Sequence, residues 1–418
     1  MTRMPPAHTV FAFFLRLPAV QRKASAVLAA LVAVLLASQS AQTQTFSVLY
    51  EFPGGPDGGN PIAGLARDAA GNFYGTAVAG GTGGYGVVFE LSPAGVETVL
   101  YSFTGANGDG ADPVAGLLRD AAGNLYGTTQ EGGSNSCGTV FRLDTAGKET
   151  VLHSFAGGTS DGCGPDAGVI QDSDGNLYGA TYGGGDSRCT LGGCGVVFKL
   201  DKAGKQTILH KFNGRDGAFP GSGFLVRDAK GSLYGTTVAG GDACPWDRIG
   251  CGVVFKVGKS GKETVLYKFT GYTDGHAPVP GLFRDAAGNV YGTASGGGDS
   301  SCNNGNGCGV VFELHKAGKM TVLHAFHGTD GAIPYAGLIQ DAAGNFYGET
   351  TRGGDEDEGT VFKLSKQGKE SVLHSFTGGV DGWEPDGWLV RDKAGNLYGT
   401  ALNGGTYSGG TVFKIAPH

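Results

Sequence analysis

The side chains of this chain that could do chemistry are those that break an otherwise regular pattern: Trp246-Asp247-Arg248, Trp383-Glu384, Tyr272 with His276, and Arg352. They stand in Gly-rich loop sequence with Phe219, Tyr335, Tyr407 and the acidic run Asp355-Glu356-Asp357-Glu358. Exposed aromatic rings beside carboxylates and arginines suit stacking on sugar rings, with polar groups left for the hydroxyls. Trp246, Asp247, Arg248, Tyr272, His276, Trp383, Glu384 and Arg352 are therefore the expected ligand-binding residues, and a polysaccharide or surface glycan the expected ligand. A second reading makes carboxylates such as Asp247, Glu384 or Glu131, with His276, the acid and base of a polysaccharide lyase or hydrolase. A third is a structural scaffold that presents surfaces to a protein partner. The acidic run could ligate calcium, but a solvated loop accounts for it, and no other cofactor is expected.

The elements that must position these residues come from a repeat. Tyr-Gly recurs at Tyr74, Tyr126, Tyr178, Tyr234, Tyr291, Tyr347 and Tyr398, at spacings of 52, 52, 56, 57, 56 and 51. Seven units of that length match a propeller period. Each unit holds four apolar segments, A to D, which in the second unit are 116–120, 124–129, 138–143 and 149–155. Turn residues separate them, so each unit is read as an antiparallel meander. Val140-Phe141 and Val151-Leu152 make both sheet faces apolar, so a sheet must pack against neighbours. The last unit ends after segment C, and its missing fourth strand stands at the front of the chain as residues 45–52. This permutation predicts an all-β, seven-bladed β-propeller of four-stranded antiparallel blades, its ring closed by the N-terminal strand. Segment A is then innermost and D outermost. The short AB and CD turns share the bottom face, while the long BC loops and the D-to-A links share the top, where function is expected.

Features present in every blade are assigned to the blade. The link carries Asp-Gly-x-x-Pro at Asp57, Asp109, Asp161, Asp216, Asp274, Asp330 and Asp381. Seven carboxylates about a channel mouth could hold a cation, but an Asp capping a turn whose Gly takes positive φ, before a Pro that sets strand A, explains the recurrence. His153, His210, His324 and His374 of segment D alternate with Tyr50, Tyr101 and Tyr267, which ligation would not tolerate, so these are read as outer-strand packing residues. The stretch 258–264 has a superficial phosphate-loop look without the required spacing, and 172–176 starts like a calcium loop but has Gly183 where its twelfth residue should be Glu; both are read as turns. Neither Gly-x-Ser-x-Gly nor His-Glu-x-x-His occurs.

The blocks Gly-Asn-Leu-Tyr-Gly-Thr, Gly-Thr-Val-Phe-Lys-Leu and Glu-Thr-Val-Leu-His-Ser-Phe, recurring in fixed order over residues 45–418, resemble the GloVer tandem repeats of secreted bacterial proteins. The resemblance implies export and a repeat fold; it supplies no catalytic residue.

Three of the four expected disulfides are local pairs in BC loops: Cys189 with Cys194, Cys244 with Cys251, and Cys302 with Cys308, in the three units of longest spacing. Cys137 lacks a local mate, and Cys163 in the following link is assigned to it. Zinc would need further ligands, and no His spacing accompanies the pairs. Residues 1–40 combine Arg3, Arg16, Arg22 and Lys23 with a short apolar run at 24–37 and small residues before Ala41, the layout of a signal peptide; the run is short of the roughly 20 residues that span a bilayer, and a retained membrane anchor is the alternative reading. Residues 41–418 form the expected single propeller domain, secreted or periplasmic, monomeric, and not membrane-inserted once the signal is removed. Its 80 Gly in 418 residues exceed the usual share of roughly 7%, yet 23 Phe and 15 Tyr exclude a disordered linker. Without the signal, 27 basic against 38 acidic side chains give a net charge of −11, which argues against nucleic acid as partner.

Overall fold

The computed structural model describes residues 44–417 apart from 190, 191, 222 and 245–248, so the signal peptide expected over 1–40 lies outside the described residues. Seven antiparallel sheets of four or five strands follow one another along the chain, with two separate two-stranded ladders beside them. In the second, Leu118–Arg119, Leu125–Thr129, Thr139–Leu143 and Glu149–Ser154 pair in that order from first to last. In the seventh, Val390–Arg391 pairs with Leu397–Asn403, which pairs with Thr411–Ala416, and the outermost place is taken by Thr45–Glu51 from the front of the chain. No helix among the described residues is long and apolar enough to cross a membrane. The expected propeller and its closing strand are therefore both present.

Strand A is shorter than its apolar segment: only two residues join the ladder in each blade, Leu118 and Arg119 in the second. The residues before them turn in toward the axis, where neighbouring blades crowd; a Cβ on Gly116 would lie 3.1 Å from the Gly64 carbonyl oxygen of the preceding blade. The outermost pair carries a bulge in every blade, between Val140 and Phe141 in the second. A bulge adds local twist, and it falls where each sheet meets its neighbour.

The core is a ring of phenylalanines. The Phe that follows strand D packs edge-on against the strand C Phe of the next blade, at 5.1 Å for Phe52–Phe89, 5.2 Å for Phe103–Phe141 and 5.3 Å for Phe376–Phe413. The same contact joins Phe155 to Phe198, Phe212 to Phe255, Phe269 to Phe312 and Phe326 to Phe362. All fourteen rings are at most 1% exposed. The Gly of Tyr-Gly makes room for this ring: a Cβ on Gly127 would lie 2.6 Å from Phe141 Cζ. The Tyr is fixed from the bottom face. Asp120 accepts from the Asn124 backbone and side-chain N–H groups and from the Tyr126 hydroxyl, and the other six AB turns repeat the Tyr-to-Asp bond. In five interfaces an Arg of the next blade covers that Tyr ring, as Arg284 does over Tyr234 at 5.1 Å.

All four expected disulfides are formed, and there is no free cysteine among the described residues. Cys137–Cys163 ties the BC loop of one blade to the link that follows it. Four bridges suit an oxidising compartment.

Ring closure makes Phe52 as important as any Phe inside the chain. Phe52→Ala should lower the unfolding free energy by about 3–5 kcal/mol in a denaturant titration, whereas Val96→Ala, at a turn residue 63% exposed, should leave it within about 0.5 kcal/mol. Equal effects would mean that the first strand does not close the ring.

Candidate functional site

Each link leaves strand D through its Asp. Asp109 accepts from the Thr104 N–H and hydroxyl and from the Gly110 N–H, and Asp161, Asp216, Asp274, Asp330 and Asp381 accept from the backbone N–H three to five residues before them. The Asp therefore caps a turn at the outer end of the link and does not ring the channel. Of the glycines that follow, Gly58, Gly217, Gly275, Gly331 and Gly382 have positive φ; Gly110 and Gly162 do not, and these two enter a short ladder with the first residues of the BC loop. The alternation of His and Tyr in strand D has a reason beyond packing: His324 Nε2 lies 2.9 Å from Asp330 Oδ2, and the Tyr267 hydroxyl donates to Asp274 at 2.9 Å, so either residue supplies a donor to the same carboxylate.

The residue just before each link proline has positive φ: Asn60, Asp112, Gly164, Phe219, Ala277, Ile333 and Glu384. Its N–H donates to a carbonyl at the end of the preceding BC loop, from Asn60 to Gly409 and from Glu384 to Glu358. Six of the seven are not glycine, and strain of this kind costs on the order of 1–3 kcal/mol each. It is concentrated on the top face, immediately before the chain reaches the axis.

There the sevenfold pattern breaks. The position before the strand A leucine or valine is Gly64, Gly116, Gly168, Gly281 and Gly337 in five blades, but Phe224 in the fourth and Trp388 in the seventh. These two rings meet edge to face at 5.3 Å. A Cβ on Gly64 would lie 2.5 Å from Trp388 Cβ, and one on Gly281 or on Gly168 would strike Trp388 or Phe224 respectively. The two aromatics thus fill the space that five glycines leave, and they floor a cavity of about 240 Å3.

Five of the seven residues that follow a link proline form the wall of the cavity. Ile62 and Val114 are apolar, whereas Asp166, Tyr335 and Asp386 are not. Strand B breaks its pattern in the same region: Thr76, Thr128, Thr293 and Thr400 donate to the carbonyls of Ala115, Ala167, Ala336 and Ala63 in the next blade, but blade six has Glu349 there. Glu349 is 0% exposed, and neither of its oxygens has a hydrogen-bond partner among the described residues. Burial, and then the nearby Asp386, hold its pKa well above the ordinary range. Asp386 lines the cavity yet is enclosed enough for burial, and then Glu384, to raise it likewise. Burial pushes Asp166 up to about 6 against a hydrogen bond from Gln130. Tyr335 is raised by burial and then by Asp386, Asp166 and Tyr182, which marks all of them as neighbours of one space.

Of the residues expected to bind ligand, the fold gathers three. Glu384 accepts from Arg352 Nη2 and, at 3.0 Å, from Asn403 Nδ2, while the Arg352 guanidinium lies 5.8 Å from the Trp383 ring centroid and 3.6 Å from Glu358. Tyr272, 63% exposed, and His276, whose Nε2 lies 3.2 Å from the Asn306 carbonyl, belong to a different link. Trp246, Asp247 and Arg248 lie outside the described residues. Glu131 is exposed in a two-residue ladder with Ala111. Phe219 was expected to be an exposed aromatic and is not: it is 3% exposed, stacked at 4.7 Å on Tyr182. In the acidic run, Asp357 accepts from the Gly353 N–H and Glu358 faces Arg352.

Sequence reasoning missed Asp166, Phe224, Glu349, Asp386 and Trp388, although each is a departure at a fixed repeat position. Two other groups have metal-ligand geometry, His210, Asp216 and Glu263, and His324, Asp330 and Glu370, each with ligand atoms within 4.8 Å of one another. Tyr101, Asp109 and Glu149 fill the same positions at another interface, so the arrangement serves blade packing.

A model of the Gloeobacter/Verrucomicrobia repeat matches residues 36–246 and again 247–418. No curated protein matches the chain. Among solved structures, virginiamycin B lyase from Staphylococcus aureus is similar with a TM-score of 0.56 and 11% identity over 90% of this chain and all of that one. The extracellular domain of a protein described as a hybrid two component system from B. thetaiotaomicron has a TM-score of 0.54 and 14% identity over 90% of this chain and 41% of that one, so the present chain spans less than half of it. At such identities the likeness concerns the fold alone.

The blade interfaces carry a pH dependence. Glu97, Glu149, Glu263 and Glu370, at the starts of strand D, are each pushed up to about 7, chiefly by burial. A carboxyl whose pKa rises on folding stabilises the fold fully below its unfolded value, and that stabilisation is lost as pH climbs through the folded value. The melting temperature should therefore fall between about pH 5 and pH 8, and Glu263→Gln with Glu370→Gln should flatten the fall; a melting temperature that rises over that interval would refute the assignment.

Proposed function

The chain belongs to the Gloeobacter/Verrucomicrobia repeat family, and from that premise we propose that it is an exported binding module whose axial cavity takes the end of a polysaccharide or surface glycan. Residues 1–40 act as its signal peptide and residues 41–418 as the propeller, secreted or periplasmic. The disulfides and the likeness to an extracellular domain support that location. The observation that carries the reading is convergence: residues from links and strands of blades three, four, six and seven that depart from the repeat line or back one cavity with an aromatic floor. A position kept for the blade would have followed the blade pattern. At about 240 Å3 the cavity is smaller than the roughly 300–1,000 Å3 typical of drug-sized ligands, which fits a terminal sugar unit. Trp383, Arg352 and Glu384 extend the polar and aromatic surface on the same face.

The enclosed carboxyl of Asp386 favours one second reading, a polysaccharide lyase or hydrolase, because a carboxyl whose pKa burial raises is suited to act as a general acid.

Native affinity electrophoresis of residues 41–418 through gels cast with different polysaccharides tests both. Binding predicts retardation with intact polymer, and Tyr335→Ala should restore most of the free mobility, with Trp383→Ala giving a smaller loss. Clearing of the polymer around the band would assign turnover instead. Free mobility in every gel would overturn the glycan reading.

A further inference from the structure

The cavity has an electrical character that narrows its ligand, an inference that rests on the saccharide reading above. Asp166 and Asp386 line it from opposite parts of the ring, blades three and seven, and Glu349 lies behind Asp386. No Lys, Arg or His is among the described residues that line it. The Arg352 guanidinium is already engaged by Glu384 and Glu358. Asp166 Oδ1 is sealed from solvent without a hydrogen-bond partner among the described residues, and so are both oxygens of Glu349. Buried carboxyls in this condition are costly unless a proton or a cation compensates them.

Aromatic rings share the rest of the lining with aliphatic residues, glycines and Gln130. Trp388 and Phe224 form the floor, Tyr335 the wall, and Tyr182 stands beside it in an adjoining recess with Asp166. Aromatic faces next to carboxylates are the setting in which an ammonium group is held, by charge from one side and by the ring quadrupole from the other. A bare metal ion would make no use of the indole and phenyl floor, and a neutral sugar would leave the carboxyls to be compensated by protons alone. We propose that the axial cavity selects a saccharide end bearing a free amino group, an amino sugar in its protonated form, with Asp386 and Asp166 as partners of the ammonium and Trp388 and Tyr335 stacking on the ring.

The proposal has a pH signature. Asp386 faces Glu349 from strand B of blade six, Tyr335 from the neighbouring link, and Glu384 from its own link; Asp166 faces Tyr335 and Gln130. A cationic ligand favours the ionised carboxyls, and burial holds Asp166 at about 6, so its affinity should rise from pH 5 to pH 7. A neutral sugar hydrogen-bonded to protonated carboxyls would show the opposite slope.

Titration calorimetry of residues 41–418 with a glucosamine tetramer, its fully N-acetylated counterpart and a glucose tetramer decides the matter. The amino tetramer should bind at least tenfold more tightly than either of the others and more tightly at pH 7 than at pH 5. Asp386→Asn with Asp166→Asn should bring the three ligands within about twofold, while Asp355→Asn with Glu356→Gln, in the exposed acidic run, should leave the preference unchanged and so exclude attraction by net charge. If the double variant fails to fold, the pH slope of the natural protein still decides. Equal or tighter binding of the acetylated or glucose tetramer would overturn this inference and leave the saccharide reading standing. Binding of none would overturn both. Stoichiometric binding of calcium chloride that excludes the amino tetramer would assign the carboxyls to a metal instead.

Discussion

A four-stranded sheet that is apolar on both faces has nowhere to put its rings except against another such sheet, and in this chain the contact is always the same. A phenylalanine after strand D meets the strand C phenylalanine of the next blade edge to face, seven times, the last through Phe52 from the front of the chain. Edge-to-face pairs are directional and favour one relative orientation of the two rings. Repeating one directional contact returns the chain to its start, and the sheet edge that would otherwise be exposed is used to close the ring. The glycine of Tyr-Gly, the bulge in the outer pair and the Asp-anchored tyrosine all follow from keeping that ring pair seated.

Sevenfold repetition also creates a problem at the centre, where seven links approach one axis. Five glycines let the backbones come close, and Phe224 and Trp388 fill what remains. Two large rings set against each other across the axis must break the symmetry, and the residues around them break it too: Asp166, Tyr335 and Asp386 on the wall, Glu349 behind. Strained backbone before each link proline lies on the same face. On the bottom an Asp closes every AB turn, and none of the described non-glycine residues with positive φ lies in an AB or CD turn. The functional reading therefore rests on a contrast between two faces built from the same seven units.

Much of this was legible before any coordinates. The Tyr-Gly period, the missing fourth strand and the surplus strand at residues 45–52 led to the propeller and its closure, and the extra residues arriving with paired cysteines led to the bridges. The link Asp was legible as a turn cap because a feature repeated in every blade is explained most simply by the blade. The site was less legible. Phe219 looked like a loop aromatic, but the preference of a ring for a buried stacking partner took it under Tyr182. Trp383, Glu384 and Arg352 lie together, while Tyr272 and His276 belong to another link.

Local sequence determined whatever depends on local interactions: strands, turns, the period of the repeat and the mating of cysteines a few residues apart. Tertiary structure alone decided which departures from the repeat meet. Asp166, Phe224, Glu349, Asp386 and Trp388 are spread over more than 200 residues, and nothing along the chain relates one to another. Only closure of the ring brings blades three, four, six and seven to a common axis, and only there do carboxyls that would be ordinary on a surface become enclosed.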